Sequence, residues 1–146
     1  MLIDKKNLPL VDMEFMNETH FEDVDLINSL YSLIEKYELE ANSSNFNNLK
    51  LGYLNWVEHT EKHFETEEIQ MQEKGFFAYP FHKGEHDSNL LEIKAVWSSF
   101  EATKDIKELK NYIKYDLTSW LINHIQTMDT VTARFFKTGV SPCGMM

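Results

Sequence analysis

Thiols are almost missing from this chain: Cys143 is the one cysteine in 146 residues. No internal disulfide can form, and an iron–sulfur cluster is disfavoured. Cys143 lies in a terminal Pro-Cys-Gly-Met-Met and reads as incidental. Basic residues are also few, 14 Lys and Arg against 24 Asp and Glu, for a net charge of −10. With no Lys/Arg stripe to displace counterions from phosphates, neither nucleic acid nor an anionic membrane is expected as a partner. The N-terminus has no signal-peptide core, and no apolar run is long enough to span a bilayer, so a cytoplasmic protein is expected. Repeats and low-complexity segments are absent too. What remains is 42% apolar and 13% aromatic residues, enough for one core, and the whole of 1–146 is expected to be a single domain.

Helical periodicity organises the chain. Residues 1–16, with Pro9 and irregular apolar positions, are expected to form an extended arm over the body of the protein. Asn17 is a suitable N-cap, and His20, Val24, Ile27, Tyr31 and Ile34 then recur at steps of three and four. After the cap-rich Asn42-Ser-Ser-Asn45, a second stripe carries Leu49, Tyr53, Trp56, Thr60, His63, Glu67 and Met71, and stops at Gly75. The aromatic link Phe76-Phe-Ala-Tyr-Pro80 is expected to be packed. A third helix starts near Pro80 with His82, His86, Leu90, Ile93, Trp97 and Phe100 on one side. Gly84, between its two histidines, weakens it by about 1 kcal/mol relative to Ala. Beyond the break at 102–105, Ile113, Leu117, Trp120, His124, Met128, Val131 and Phe135 mark a fourth helix, with a tail over 138–146. Short links between four long amphipathic helices predict an all-α, antiparallel up-down-up-down four-helix bundle over 17–137.

The inward stripes also carry chemistry. Residues four apart on a helix point nearly the same way, so His63 with Glu67, and His82 with His86, each aim two ligand-type groups together. Taken alone, His20 or His124 is most simply a surface or hydrogen-bonded core histidine, the aromatic residues are packing, and the acids of 65–73 are a solvated face. All four stripes, however, place histidine or carboxylate at similar depth. Burying such groups without partners costs a few kcal/mol each, and a shared metal ion would partner all of them. Imidazole and carboxylate without sulfur suit Fe, Mn, Co or Zn. His59-Thr-Glu-Lys-His63 lacks the Glu that a zinc-protease helix has directly after its first His. The ferritin-like pattern, with Glu three residues before His, is also missing. A metal-free helical interaction module is the reading that needs no ion.

The spacings His63-Phe-x-x-Glu67-Glu68, the fifteen-residue step from Glu67 to His82, His82-x-x-x-His86 and His124-Ile-x-x-x-Asp129 resemble the hemerythrin family in its bacterial branch. The likeness extends from about Asn17 to Phe136. It implies a non-haem pair of iron ions, with His82, His86 and His124 on one, His20 and His63 on the other, and Glu67 and Asp129 bridging them beside an oxo or hydroxo bridge. Of about twelve octahedral positions these groups fill eleven. The open one, on the iron with two histidines, implies O2 as ligand. Leu121 matches the family's apolar residue there, and with Leu117 and Ile125 is expected to line the O2 pocket. Reversible O2 binding, for storage, delivery or sensing, is therefore expected in preference to enzymatic turnover. The alternative is a di-iron enzyme acting on peroxide or nitric oxide, with Tyr31, Tyr53 or Thr60 as proton donor. Asp129 is owed to the resemblance alone: five α-helical residues from His124 it falls about 140° around the axis, where Met128 would be the inward neighbour. His59 is expected at the surface or behind a ligand.

Overall fold

The computed structural model describes residues 1–139. Cys143 and Pro142 lie outside them. Three long helices, α1 (Glu14–Leu39), α2 (Ser43–Glu73) and α3 (Tyr79–Thr103), precede a fourth helical stretch made of α4 (Ile106–Asn111), α5 (Thr118–His124) and α6 (Thr130–Thr138). Two π-helical segments, Tyr112–Leu117 and Ile125–Asp129, join these last three without a break, because the junction residues Tyr112, Thr118, Ile125 and Thr130 all keep right-handed helical dihedrals. Among the described residues there is no strand, and no helix is long and apolar enough to cross a membrane. The architecture is a helical bundle.

The ends of the helices follow local chemistry. Asn42 Oδ1 accepts from the Asn45 N–H at 2.7 Å, and Asp105 Oδ1 accepts from the N–H groups of Lys107 and Glu108, each satisfying donors that the first turn leaves free. Gly75, just past α2, has φ +64°, a conformation glycine adopts without strain. Pro80 sits in the first turn of α3, where its missing N–H costs nothing.

The start of α1 corrects the sequence reading. The helix begins at Glu14, three residues before Asn17. Asn17 does not cap it: its carboxamide accepts from the Val11 N–H at 2.8 Å and donates to the Val11 carbonyl at 3.0 Å. Asn28 does the same for Ile3, at 2.8 and 2.9 Å. Two asparagine side chains thus stand in for backbone partners along residues 1–13, whose Ile3, Leu8 and Val11 are buried against the core. Residues 1–13 also include a single 3-10 turn, Lys5–Asn7.

The core is aromatic at one end, where Tyr53 and Trp97 lie 4.8 Å apart and Tyr37 meets Phe100 edge-on at 5.6 Å. The Phe76–Pro80 link is packed in part: Phe76 is buried and lies 5.1 Å from Phe135, while Phe77 is half exposed. Between these regions the buried positions turn polar.

Candidate metal centre

Histidines and carboxylates from four parts of the fold meet in the polar zone. Glu67 of α2, His82 and His86 of α3, His124 of α5 and Asp129 form one group whose ligand atoms lie within 4.8 Å of one another, and His20 of α1, His63 and Glu67 form a second. Glu67 belongs to both. All seven are buried. The structure therefore brings together every histidine and carboxylate that the sequence nominated as a metal ligand; His59 stands outside both groups, its Nε2 2.9 Å from Asp23 Oδ1.

The two carboxylates are oriented alike. Asp129 turns Oδ2 to His20 Nε2 at 2.8 Å and Oδ1 to His82 and His124 Nε2 at 3.1 and 3.2 Å. Glu67 turns Oε2 to His63 Nε2 at 2.8 Å and Oε1 to His86 Nε2 at 3.4 Å. Each acid thus offers one oxygen to each group, the arrangement that two neighbouring cations would share.

The π segment explains how Asp129 reaches this position. A π turn accommodates one residue more than an α turn, so the five-residue step from His124 brings Asp129 back to the inward face. Thr130 Oγ1 donates to the Ile125 carbonyl five residues earlier, at 2.7 Å, in keeping with the wider turn. Every later position shifts by one: the expected Met128, Val131 and Phe135 are only partly buried, and Asp129, Thr132 and Phe136 are buried instead. Deleting Thr127, which is exposed, should convert the segment to α-helix with a four-residue step from His124 to the aspartate. The variant should keep the metal content of the parent by elemental analysis. Loss of metal would mean that Asp129 is placed by something other than the extra residue.

The rings are held from behind. His82 Nδ1 lies 2.7 Å from Thr132 Oγ1, His86 Nδ1 2.9 Å from Glu68 Oε2, His124 Nδ1 2.8 Å from Glu85 Oε1, and His63 Nδ1 2.9 Å from Asp23 Oδ2. With an acceptor outside each of these four rings, Nδ1–H can donate outward, which in a metal-bound ring would leave the Nε2 lone pair pointing inward, as in outer-shell support of ligating imidazoles. Rings also clamp rings: Phe64 stacks on His86 at 3.8 Å and Trp120 on His124 at 4.5 Å. Sequence reasoning missed Asp23, Glu85 and Thr132. Asp23 was within reach of it, lying one turn after His20 on the same apolar stripe.

Without a cation the centre is frustrated. His82 and His124 point their Nε2 atoms at each other across 3.2 Å, so they cannot both be charged. Burial lowers the pKa of His82, whereas on His124 burial is outweighed by Asp129 and Glu85, which hold it at about 9. His63 is also raised, Asp23 and Glu67 overcoming its burial. Burial and Asp129 work against the charge on Glu67, but His63 and His86 bring it down to about 2. Even so, Glu67 Oε1, His86 Nε2 and Asp129 Oδ1 are buried without a hydrogen-bond partner. Nitrogen and oxygen donors with no sulfur, aimed inward and left orphaned, fit first-row metal ions.

Beside His63, His124 and Asp129 lies a cavity of about 20 Å3, walled by Ile27, Trp56, Phe64, Leu117, Trp120 and Leu121, with Asp23, Thr60 and Asn89 also on its surface. Leu117 and Leu121 line it as the sequence suggested; Ile125 is fully buried but does not. Of the tyrosines considered as donors, Tyr53 has already given its hydrogen bond to the Ile93 carbonyl at 2.5 Å, and neither it nor Tyr31 lines the cavity. Thr60 does, but its hydroxyl donates to the Trp56 carbonyl at 2.9 Å.

Fold and site together define a helical protein with a buried histidine–carboxylate centre of the metal-binding type. The chain is 33% identical over 134 residues to the bacteriohemerythrin of Aquifex aeolicus (strain VF5), covering 92% of this chain and 97% of that protein. It is 26% identical over 116 residues to the bacteriohemerythrin of Methylococcus capsulatus (strain ATCC 33009 / NCIMB 11132 / Bath), covering 80% and 86%. No protein-family model and no solved structure matches. The chain belongs to the bacteriohemerythrin family.

Proposed function

We propose that the protein is a non-haem di-iron protein that binds O2 reversibly, working in the cytoplasm as a single antiparallel four-helix domain with its first thirteen residues laid over the bundle. The observation that carries the reading is the pair of ligand groups sharing Glu67, with Asp129 also turned to both. In it His82, His86 and His124 would hold one iron, His20 and His63 the other, and Glu67 and Asp129 would serve both. An iron pair so held would supply the electrons that O2 binding draws on reversibly. The protein's own part is to fix the ring orientations through Thr132, Glu68, Glu85 and Asp23, and to keep bulk water from the cavity with Leu117, Leu121, Phe64 and Trp120.

A cavity of about 20 Å3 suits one molecule of about water size, which favours a diatomic ligand over a bulky substrate. The rival reading, turnover of peroxide or nitric oxide, needs a proton donor, and the protons of Tyr53 and Thr60 are already engaged. Mixing the reduced, iron-loaded protein with O2 distinguishes the two. A visible spectrum that appears with O2 and disappears under vacuum, over repeated cycles, is the expected result; prompt oxidation with consumption of O2 or peroxide would support the enzyme.

Replacing His20 with Ala should lower the iron count from two per chain toward one, because the three-histidine group keeps all its own donors. The helical content by circular dichroism should stay close to that of the parent. An iron count still at two would remove His20 from the ligand set.

A further inference from the structure

Asn89 is the one neutral amide on the cavity wall. It lies on α3 three residues beyond His86, is 4% exposed, and its side chain makes no hydrogen bond among the described residues. A carboxamide can make up to four hydrogen bonds, and none of those of Asn89 is made to the described residues. Of the other polar wall groups, Thr60 donates to the Trp56 carbonyl and Asp23 turns Oδ2 to His63 Nδ1 at 2.9 Å. The remaining wall is Ile27, Phe64, Leu117 and Leu121, the indoles of Trp56 and Trp120, and the ligand-type groups of His63, His124 and Asp129. A carboxamide that makes no hydrogen bond to the described residues, on the wall of a small cavity that His63, His124 and Asp129 also line, is a donor placed for a ligand.

From this juxtaposition we infer that the Asn89 carboxamide donates a hydrogen bond to the ligand in the cavity, strengthening its hold on a small ligand once that ligand carries negative charge. The inference rests on the di-iron reading above and adds to it the group that recognises the ligand's outer atom. The carboxamide neither gains nor loses a proton; its N–H is a positioned donor toward charge that the ligand carries. Asn89 is also where selection for stability and for binding would disagree, since an apolar residue of the same size would satisfy the core better.

The test compares the parent with Asn89→Leu and Asn89→Ala, using azide as the probe on oxidised, iron-loaded protein followed by visible absorption. Both variants should keep two irons per chain and bind azide roughly 10- to 100-fold more weakly, the range for losing one hydrogen bond to a charged acceptor. Asn89→Ser, which retains a donor, should recover part of the loss. In the metal-free protein Asn89→Leu should raise Tm by roughly 3–6 °C, a gain that a merely structural asparagine would not give. Unchanged azide affinity in Asn89→Leu and Asn89→Ala, with iron intact, overturns the inference and leaves the di-iron reading standing. Loss of iron from both variants assigns Asn89 to holding the fold and also overturns it. A parent protein that takes up no iron removes the reading itself, and the inference with it.

Discussion

Replacing Glu67 with Ala should take the iron content from two per chain to well below one, the largest loss expected from any single substitution. The reason lies in its two oxygens: Oε2 faces His63 at 2.8 Å and Oε1 faces His86 at 3.4 Å, so one side chain serves both ligand groups. Removing it also takes away the charge that, with Asp23, raises the pKa of His63. Glu67→Gln is the informative companion. It keeps the volume and one acceptor oxygen but loses the charge, so it should hold less iron than the parent and more than Glu67→Ala. Iron measured by elemental analysis against protein concentration decides the matter, and an Ala variant that retains one iron per chain would show that the two groups do not depend on a common carboxylate.

Metal removal is expected to have the second largest effect. Four atoms of the centre, His20 Nδ1, Glu67 Oε1, His86 Nε2 and Asp129 Oδ1, are buried with no hydrogen-bond partner. At roughly 1–3 kcal/mol for each such atom the frustration amounts to several kcal/mol, and stripping the metal with a chelator should lower Tm by on the order of 10 °C or more. The size of the gap should depend on pH. In the metal-free protein His124 is raised from 6.5 to about 9, so its protonation adds stability that is complete below pH 6.5 and lost as the pH rises through 9. Glu67, lowered from 4.5 to about 2, contributes above pH 4.5 and ceases to do so only as the pH falls through 2. Between pH 6.5 and 9 the metal-free protein should therefore lose stability while metal binding, which needs neutral rings, strengthens. The Tm difference between loaded and stripped protein should widen across that window; a gap that stays constant or narrows would mean that His124 does not carry the proton.

Much of this centre could be read from residue spacing. His63 with Glu67, and His82 with His86, are four-residue steps on helices that run as the apolar stripes require, and the structure leaves those faces where periodicity put them. The fourth helical stretch was harder. An α-helical wheel places Met128 inward after His124, and only the inserted residue of a π turn returns Asp129 to that face; no apolar repeat announces such an insertion, and the likeness to a family supplied what periodicity could not. The start of α1 was obscured for a similar reason. Asn17 resembles a cap in sequence, but its side chain bonds with Val11, six residues back, and so does not mark the helix end. Outer partners such as Glu85 and Thr132 belong to one helix and support a ring on another, a relation that exists only after the helices have packed. Asn89 was hidden because the expected stripe passed through Leu90, its neighbour, which is only partly buried.

X-ray absorption at the iron edge, on protein purified without chelators, tests the central claim most directly. Iron bound by nitrogen and oxygen alone, with the outer-shell pattern of several imidazoles and a second iron at roughly 3–4 Å, is the expected result. An isolated metal ion with no heavy neighbour, or protein that carries no iron after loading, would contradict it.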